Sequence, residues 1–295
     1  MHAFIYYISY PIIYLVSLLP FRVLYFISDG LYFLIYRLLA YRKKVVIANL
    51  RNSFQEKSGQ EIEAICREFY RYFCDFILET IKTLTITPKS VKKHVKFSDT
   101  SIFKKFYEQG QSVVLVMGHY GNWELAGARF ALEPYHQLYV IYHPLSNKYF
   151  EKLVYHMRTR LGNKLYAMND ALRGMIRDKG KITTTAFIAD QTPAPKGAYW
   201  TTFLNQETPV FTGTAKIAKK LGYPIIYASV KRPKRGLYSI EIEILVEKPA
   251  EKDENEITEI HTKRLEKDIF ANPEIWLWTH RRWKHKKPAT LTDSN

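Results

Sequence analysis

A histidine and a glutamate five residues apart stand in the segment Gly118-His119-Tyr120-Gly121-Asn122-Trp123-Glu124. Directly before it, Val113-Val114-Leu115-Val116-Met117 is an unbroken apolar run that reads as a short buried strand, and Trp123 to Leu132 after it reads as a helix. His119 therefore leaves a strand end, and Glu124 falls in the first helical turn. That spacing lets the carboxylate fold back toward the imidazole. A carboxylate accepting from one ring nitrogen fixes the tautomer and leaves the other nitrogen as a general base. The competing reading of the spacing alone is a structural histidine beside a surface glutamate. A second polar pair, Asp190-Gln191, closes the β-branched run Ile182 to Ala189. It reads equally as a strand-end scaffold or as a substrate contact.

Other chemistries lack their residues. No GxGxxG or Walker-type loop supports a nucleotide enzyme, and no GxSxG elbow marks a serine hydrolase. Neither HExxH nor a Cys/His ligand spacing points to a metal, so no cofactor is expected. Cys66 and Cys74 lie eight residues apart on one helix, ~12 Å along its axis, which excludes a disulfide between them and suits core positions. His280 and His285 fall in a basic terminal run and read as solvent-facing. Without a nucleophile or metal, a His–Glu pair fits activation of an incoming hydroxyl and direct transfer of a group to an acceptor alcohol.

The elements needed to position these groups are legible as alternating strands and helices. Residues 60–86 form an amphipathic helix, with Ile62, Ile65, Phe69, Phe73, Phe76, Ile77 and Ile81 at three- and four-residue spacing. Beyond the first strand and helix, strands are expected at Leu138 to Tyr142, Lys164 to Ala167, Ile182 to Ala189, near Trp200 to Leu204, Pro224 to Val230 and Tyr238 to Val246. Helices are expected at Lys148 to Leu161, from Asn169 to Gly180, at Gly213 to Leu221 closed by Gly222, and from about Asp253 to Phe270. The alternation predicts an α/β fold with a mostly parallel sheet covered by helices on both faces, and ligands bind such sheets outside the carboxyl ends of the strands.

Composition bounds the partners. The chain has 295 residues, 47% hydrophobic and 24% charged, with a formal net charge of +16. Its apolar content is ample for a core, and two cysteines exclude a disulfide scaffold. The positive surplus is spread over the body, with local runs at Arg42-Lys43-Lys44, Lys231 to Arg235 and Arg281 to Lys287. It implies an anionic partner: nucleic acid, anionic lipid, or an acidic protein or substrate.

The first forty residues differ in kind. Ala3 to Phe21 carries no formal charge over 19 residues. As a helix it would be ~28 Å long, against ~30 Å for a bilayer core. Pro11 and Pro20 would kink or end it. A second apolar run, Val23 to Tyr36, is expected to break at Asp29-Gly30 and leads into Arg37 and Arg42-Lys43-Lys44, the flank expected on a cytoplasmic side. A secretory signal would want a basic start and a small-x-small site; a buried core helix is the other alternative. Residues 1–40 are read as a membrane anchor, spanning or interfacial, and residues 41–295 as the catalytic domain with a basic C-terminal segment.

The ordered motifs carry a resemblance. Gly118 to Glu124, with its His-x4-Glu pattern, is followed by Arg158-Thr159-Arg160-Leu161-Gly162, Ala189-Asp190-Gln191 and Phe211-Thr212-Gly213-Thr214. The last block is Pro273-Glu274-Ile275-Trp276-Leu277-Trp278-Thr279-His280-Arg281-Arg282-Trp283-Lys284. Together, over almost the whole chain, they resemble the late lipid A biosynthesis acyltransferases of the lauroyl/myristoyl type, within the glycerolipid acyltransferase group. The resemblance implies transfer of a fatty acyl chain from an acyl-carrier-protein thioester to a hydroxyl of a lipid A precursor, at the cytoplasmic side of the bacterial inner membrane. His119 would be the base, with Glu124 orienting it and stabilising the imidazolium. Arg158, then Arg160, would clamp phosphate or the oxyanion, and Asn122, Asp190 and Gln191 would be further substrate-binding residues. Tyr120 and Trp123 would help line an apolar site that keeps water from the thioester. The same pattern admits another glycolipid acceptor, such as a phosphatidylinositol mannoside, or acyl-CoA as donor. A reading of another class is a non-catalytic basic protein that binds membranes or nucleic acid. The apolar N-terminus and the lack of a nucleic-acid-binding motif weigh against nucleic acid.

Overall fold

The computed structural model describes residues 2–195 and 197–288, without the side chain of His2. Two apolar helices open the chain, α1 (His2–Leu18) and α2 (Phe21–Tyr32), and the second runs on as a π-helical segment, Phe33–Leu38. Pro11 lies inside α1, and Pro20 stands at the N-cap of α2, where a missing N–H costs nothing. The expected break at Asp29-Gly30 does not occur. Asp29 is neutralised by Arg235 at 2.7 Å, and the helix continues through Gly30.

After α3 (Lys43–Ser53) comes the long amphipathic α4 (Gly59–Lys82), started by a reciprocal capping box between Ser58 and Glu61. Three short elements absent from the sequence reading follow: α5 (Pro88–His94), β1 (Val95–Phe97) and α6 (Ser101–Glu108). The alternating region then runs β2 (Val113–Met117), α7 (Trp123–Phe130), β3 (Gln137–Tyr142), α8 (Lys148–Thr159), β4 (Lys164–Ala167), α9 (Ala171–Arg177) and β5 (Thr183–Ile188). A hairpin, β6 (Tyr199–Phe203) with β7 (Gln206–Val210), precedes α10 (Gly213–Leu221). The chain closes with β8 (Ile225–Lys234), β9 (Leu237–Val246) and α11 (Glu254–Ala271).

Seven strands form one sheet in the order β1-β9-β8-β2-β5-β3-β4. All its pairings are parallel except that of β8 with β9, which a tight hairpin makes antiparallel. The strand expected near Trp200 lies outside this sheet, because β6 pairs only with β7. β2 is central and all five of its residues are buried. Its alternate side chains feed two cores: Val113, Leu115 and Met117 pack on one face, Val114 and Val116 on the other. A third core gathers α3, α4, Tyr120 and the terminal tryptophans.

Helix α2 packs along α4, burying Leu24 and Ser28, and α1 meets α8 through Tyr6 against Tyr149 and Phe150, each at 5.5 Å. The outward faces of α1 and α2 stay apolar, with Phe4, Ile8, Ile12, Leu15 and Phe26 exposed. Among the described residues no single helix is long and apolar enough to cross a membrane; residues Phe21–Leu38 with Lys43–Ser53, bent by 85°, reach that length and composition only together. Cys66 and Cys74 are free and buried, as core positions should be.

Candidate active site

β2 and β5 are adjacent and parallel, with Val113 opposite Thr184 and Met117 opposite Ile188. Continued for two residues, that register sets His119 opposite Asp190. Their side chains meet there: His119 Nδ1 lies 2.6 Å from Asp190 Oδ1, and the His119 backbone N–H donates to Asp190 Oδ2 at 2.9 Å. Trp276 Nε1 donates to the same oxygen at 2.8 Å. Burial alone pushes the Asp190 carboxyl up, but the His119 ring and these hydrogen bonds outweigh it and bring its pKa down to about 2. An ionised carboxylate at Nδ1 keeps the proton on that nitrogen and leaves the Nε2 lone pair free to accept.

The carboxylate that orients His119 is thus Asp190, where the spacing pointed to Glu124. Glu124 instead holds Arg158 in a two-point pair, with Nε to Oε2 at 3.1 Å and Nη2 to Oε1 at 2.5 Å. A guanidinium offers the carboxylate two parallel donors, which the single Nδ1–H of a neutral imidazole cannot match.

The turn carrying His119 is shaped by contact on both sides. A Cβ on Gly118 would lie 2.6 Å from the side chain of Leu265 on α11. Gly121 has φ +60°, and a Cβ there would meet the Val230 carbonyl oxygen at 2.2 Å. The terminal tryptophan block straps the turn from outside: Leu277 N donates to the His119 carbonyl at 3.1 Å, and Gly121 N to Ile275 O at 2.9 Å. Trp123 presents an edge to the His119 ring at 4.8 Å.

His119, Glu124, Arg158 and Gln191 line one end of a cavity of about 330 Å³, the size range of small-molecule sites. The Gln191 amide nitrogen stands 3.4 Å from His119 Nε2. Leu115 and Met117, at alternate positions of β2 leading to His119, also line the cavity. Much of its lining is apolar, with Phe130, Leu138, Val140 and Ala186 and, from α8, Val154 and Met157. The cavity therefore brings a base and the Arg158–Glu124 pair beside a largely apolar lining.

The remaining predicted site residues fall elsewhere. Arg160 is absent from the cavity lining and donates to the carbonyl of Thr83, the C-cap of α4, at 3.2 Å and to that of Ile86, in the connection to α5, at 2.7 Å. Asn122 is fully buried and caps α7, accepting from Leu125 N at 2.9 Å. Asp190 contacts His119 and lies outside the cavity lining, and Tyr120 is buried with its hydroxyl on the Asp268 carbonyl. Residues the sequence reading passed over include Glu151, at the cavity wall and bonded to Tyr142, and Trp276. The terminal tryptophan block held a signal for Trp276; Glu151 carried none. No group of three or more His, Cys, Asp or Glu among the described residues is arranged to hold a metal ion.

An α/β sheet with a carboxylate-oriented histidine at its strand ends, beside a largely apolar cavity, is an arrangement suited to general-base chemistry on a substrate with an apolar part. The comparisons place it more closely. The family model for "Bacterial lipid A biosynthesis acyltransferase" matches residues 1–285, and the chain belongs to that family: it is an acyltransferase. It is 26% identical over 269 residues to the lipid A biosynthesis palmitoleoyltransferase of Escherichia coli (strain K12), covering 90% of this chain and 86% of that one. It is 24% identical to the lauroyltransferase of the same organism over 275 residues, 92% and 89% of the two chains. A lipid A biosynthesis acyltransferase of Haemophilus influenzae is 27% identical over 281 residues, 94% and 88%.

Proposed function

We propose that this protein transfers a fatty acyl chain from an acyl-carrier-protein thioester to a hydroxyl of a lipid A precursor, working at the cytoplasmic face of the bacterial inner membrane. The observation that carries this reading is a single arrangement: His119 is held through Nδ1 by Asp190, and its side chain lines a largely apolar cavity of about 330 Å³. The acyl chain occupies the cavity and the acceptor hydroxyl approaches Nε2. The imidazole takes the hydroxyl proton as the oxygen attacks the thioester carbonyl. The C–S bond then breaks, and the leaving thiolate takes the proton back from the imidazolium. An ester and a free thiol result, with no acyl-enzyme. Asp190 balances the imidazolium charge while it lasts. Arg158, aligned by Glu124, supplies fixed positive charge for the developing oxyanion or a substrate phosphate, and Gln191 offers an amide beside it. The apolar part of the lining, once filled by the acyl chain, limits water's access to the thioester.

The surface supports the same reading. A net charge of +16 suits an acidic carrier and a phosphorylated lipid, and the apolar outer faces of α1 and α2 suit a leaflet. Because α1 packs against α8, which walls the cavity, a bilayer meeting α1 lies near it.

The test is transfer in vitro from acyl-carrier-protein thioester to purified lipid A precursor, read as the mass gain of one acyl chain. The expected result is transfer that His119→Ala lowers by about 10²–10⁴-fold in protein that stays folded. Near-normal turnover of that variant would remove His119 from the role of base. Transfer from acyl-CoA but not from the carrier would replace the donor.

A further inference from the structure

We infer that Glu79, a fully buried glutamate of α4 outside the cavity, is a positioning residue for the catalytic turn. Glu79 is 0% exposed and has three donors. Tyr25 of α2 donates to Oε1 at 2.8 Å, while Asn122 Nδ2 and Tyr238 of β9 donate to Oε2 at 2.7 and 2.6 Å. Burial pushes its carboxyl above the usual range, against the pull of these hydrogen bonds and of the Arg232 charge. Burying such a group is costly, and an apolar side chain of similar volume would serve packing alone as well or better.

What only an acceptor can do at this position is orient Asn122. The side-chain amide of Asn122 has an oxygen end and a nitrogen end, and α7 needs the oxygen end to cap Leu125 N. An acceptor at Glu79 Oε2 compels the nitrogen end to face α4, and so compels the oxygen to face the helix it caps. Two residues past that cap is Glu124, which aligns Arg158.

The contact is one of three that α4 makes with this turn. Tyr72, Phe76 and Glu79 share one face of α4. Tyr72 donates to the Gly121 carbonyl at 2.6 Å, Phe76 packs on the Trp123 ring at 4.1 Å, and Glu79 holds Asn122 between them. The same helix is stitched to α2: Ser28 donates to Asp75 at 2.6 Å, Arg235 spans Asp75 and Asp29, and Tyr25 reaches Glu79. Helix α4 therefore links the apolar N-terminal helices to the turn that carries His119, and among its described residues Glu79 is the one with side-chain hydrogen bonds to both α2 and that turn.

The kinetic part of the test rests on the acyl-transfer reading; a substrate-free part does not. Glu79→Gln can keep the geometry, with its oxygen at the Oε2 site accepting from Asn122 and Tyr238 and its amide nitrogen facing the Tyr25 oxygen. Glu79→Leu cannot. The expected result is that Glu79→Leu lowers kcat by at least about tenfold per folded molecule with KM nearly unchanged, and that Glu79→Gln restores most of it. Asn122→Ala should mimic Glu79→Leu, and the double variant should lose little more than either single one. In the absence of substrate, the rate of His119 carbethoxylation by diethylpyrocarbonate, followed by peptide mass spectrometry, should change at least threefold in Glu79→Leu and stay put in Glu79→Gln. A lowered melting temperature with unchanged kcat and unchanged His119 reactivity would reduce Glu79 to a packing role. Equal loss in the Gln and Leu variants would overturn the orienting role of its acceptor and make the charge decisive. If the unaltered chain transfers no acyl group, the acyl-transfer reading fails and the His119 reactivity still decides the place of Glu79.

Discussion

Asp190 stands 71 residues from His119 in sequence, and the bond between them is what makes the imidazole a directional base. Replacing it by asparagine keeps the shape and removes the acceptor that holds the proton on Nδ1. Asp190→Asn is therefore expected to lower kcat on the order of 10³–10⁴-fold with a folded protein, measured by transfer at saturating donor and acceptor. The pH dependence has a definite sign. The folded pKa of Asp190, about 2, lies below the ordinary value for an unfolded chain. The stability it contributes is thus fully present above about pH 4 and lost as pH falls through 2. In denaturant titrations, the stability gap between the unaltered chain and Asp190→Asn should narrow as pH falls from about 4 through 2. The histidine itself was legible, because it follows a run of five apolar residues and precedes a helix. Its carboxylate partner was not: the nearest acid in sequence, Glu124, was the natural choice, and strand adjacency is a fact of the sheet.

At the scale of elements, the turn after β2 depends on glycines that admit neighbouring backbone. Gly121→Ala would force a Cβ into the Val230 carbonyl at a left-handed φ, so it should destabilise the protein by more than about 2 kcal/mol in equilibrium unfolding. Transfer should fall with it, since the turn cannot keep its bonds to Tyr72 and Ile275. The central elements were readable because their signals are local: β2, β3, β5 and α8 announce themselves by apolar runs and spacing to within a residue or two. Elements whose order comes from neighbours were harder. β1 has three residues and exists by pairing with β9, while α2 runs through Asp29 because Arg235, 206 residues later, neutralises it. The motif that holds Arg160 suggests a clamp, and its guanidinium instead braces the Thr83 and Ile86 carbonyls after α4.

The whole molecule sets an apolar outer face on α1 and α2 beside a positively charged body. For the proposed leaflet association, Phe4→Glu, Ile8→Glu and Phe26→Glu, at side chains 70%, 53% and 81% exposed, should together release the protein from anionic vesicles in flotation assays without unfolding it. Loss of the remaining binding on raising salt would assign it to the basic surface; full retention by the triple variant would remove α1 and α2 from the contact. The sequence by itself determined the alternation of strands and helices, the central strand, the histidine, the apolar N-terminus and the charge, because each is written in composition or in spacing over a few residues. Only the tertiary structure decided which acid holds His119, that Glu124 belongs to Arg158, that Asn122 and Arg160 brace the scaffold, and that α4 ties the N-terminal helices to the turn. Those outcomes depend on which strands and helices become neighbours, and neighbours are chosen by burial of whole faces, where spacing along the chain carries no information.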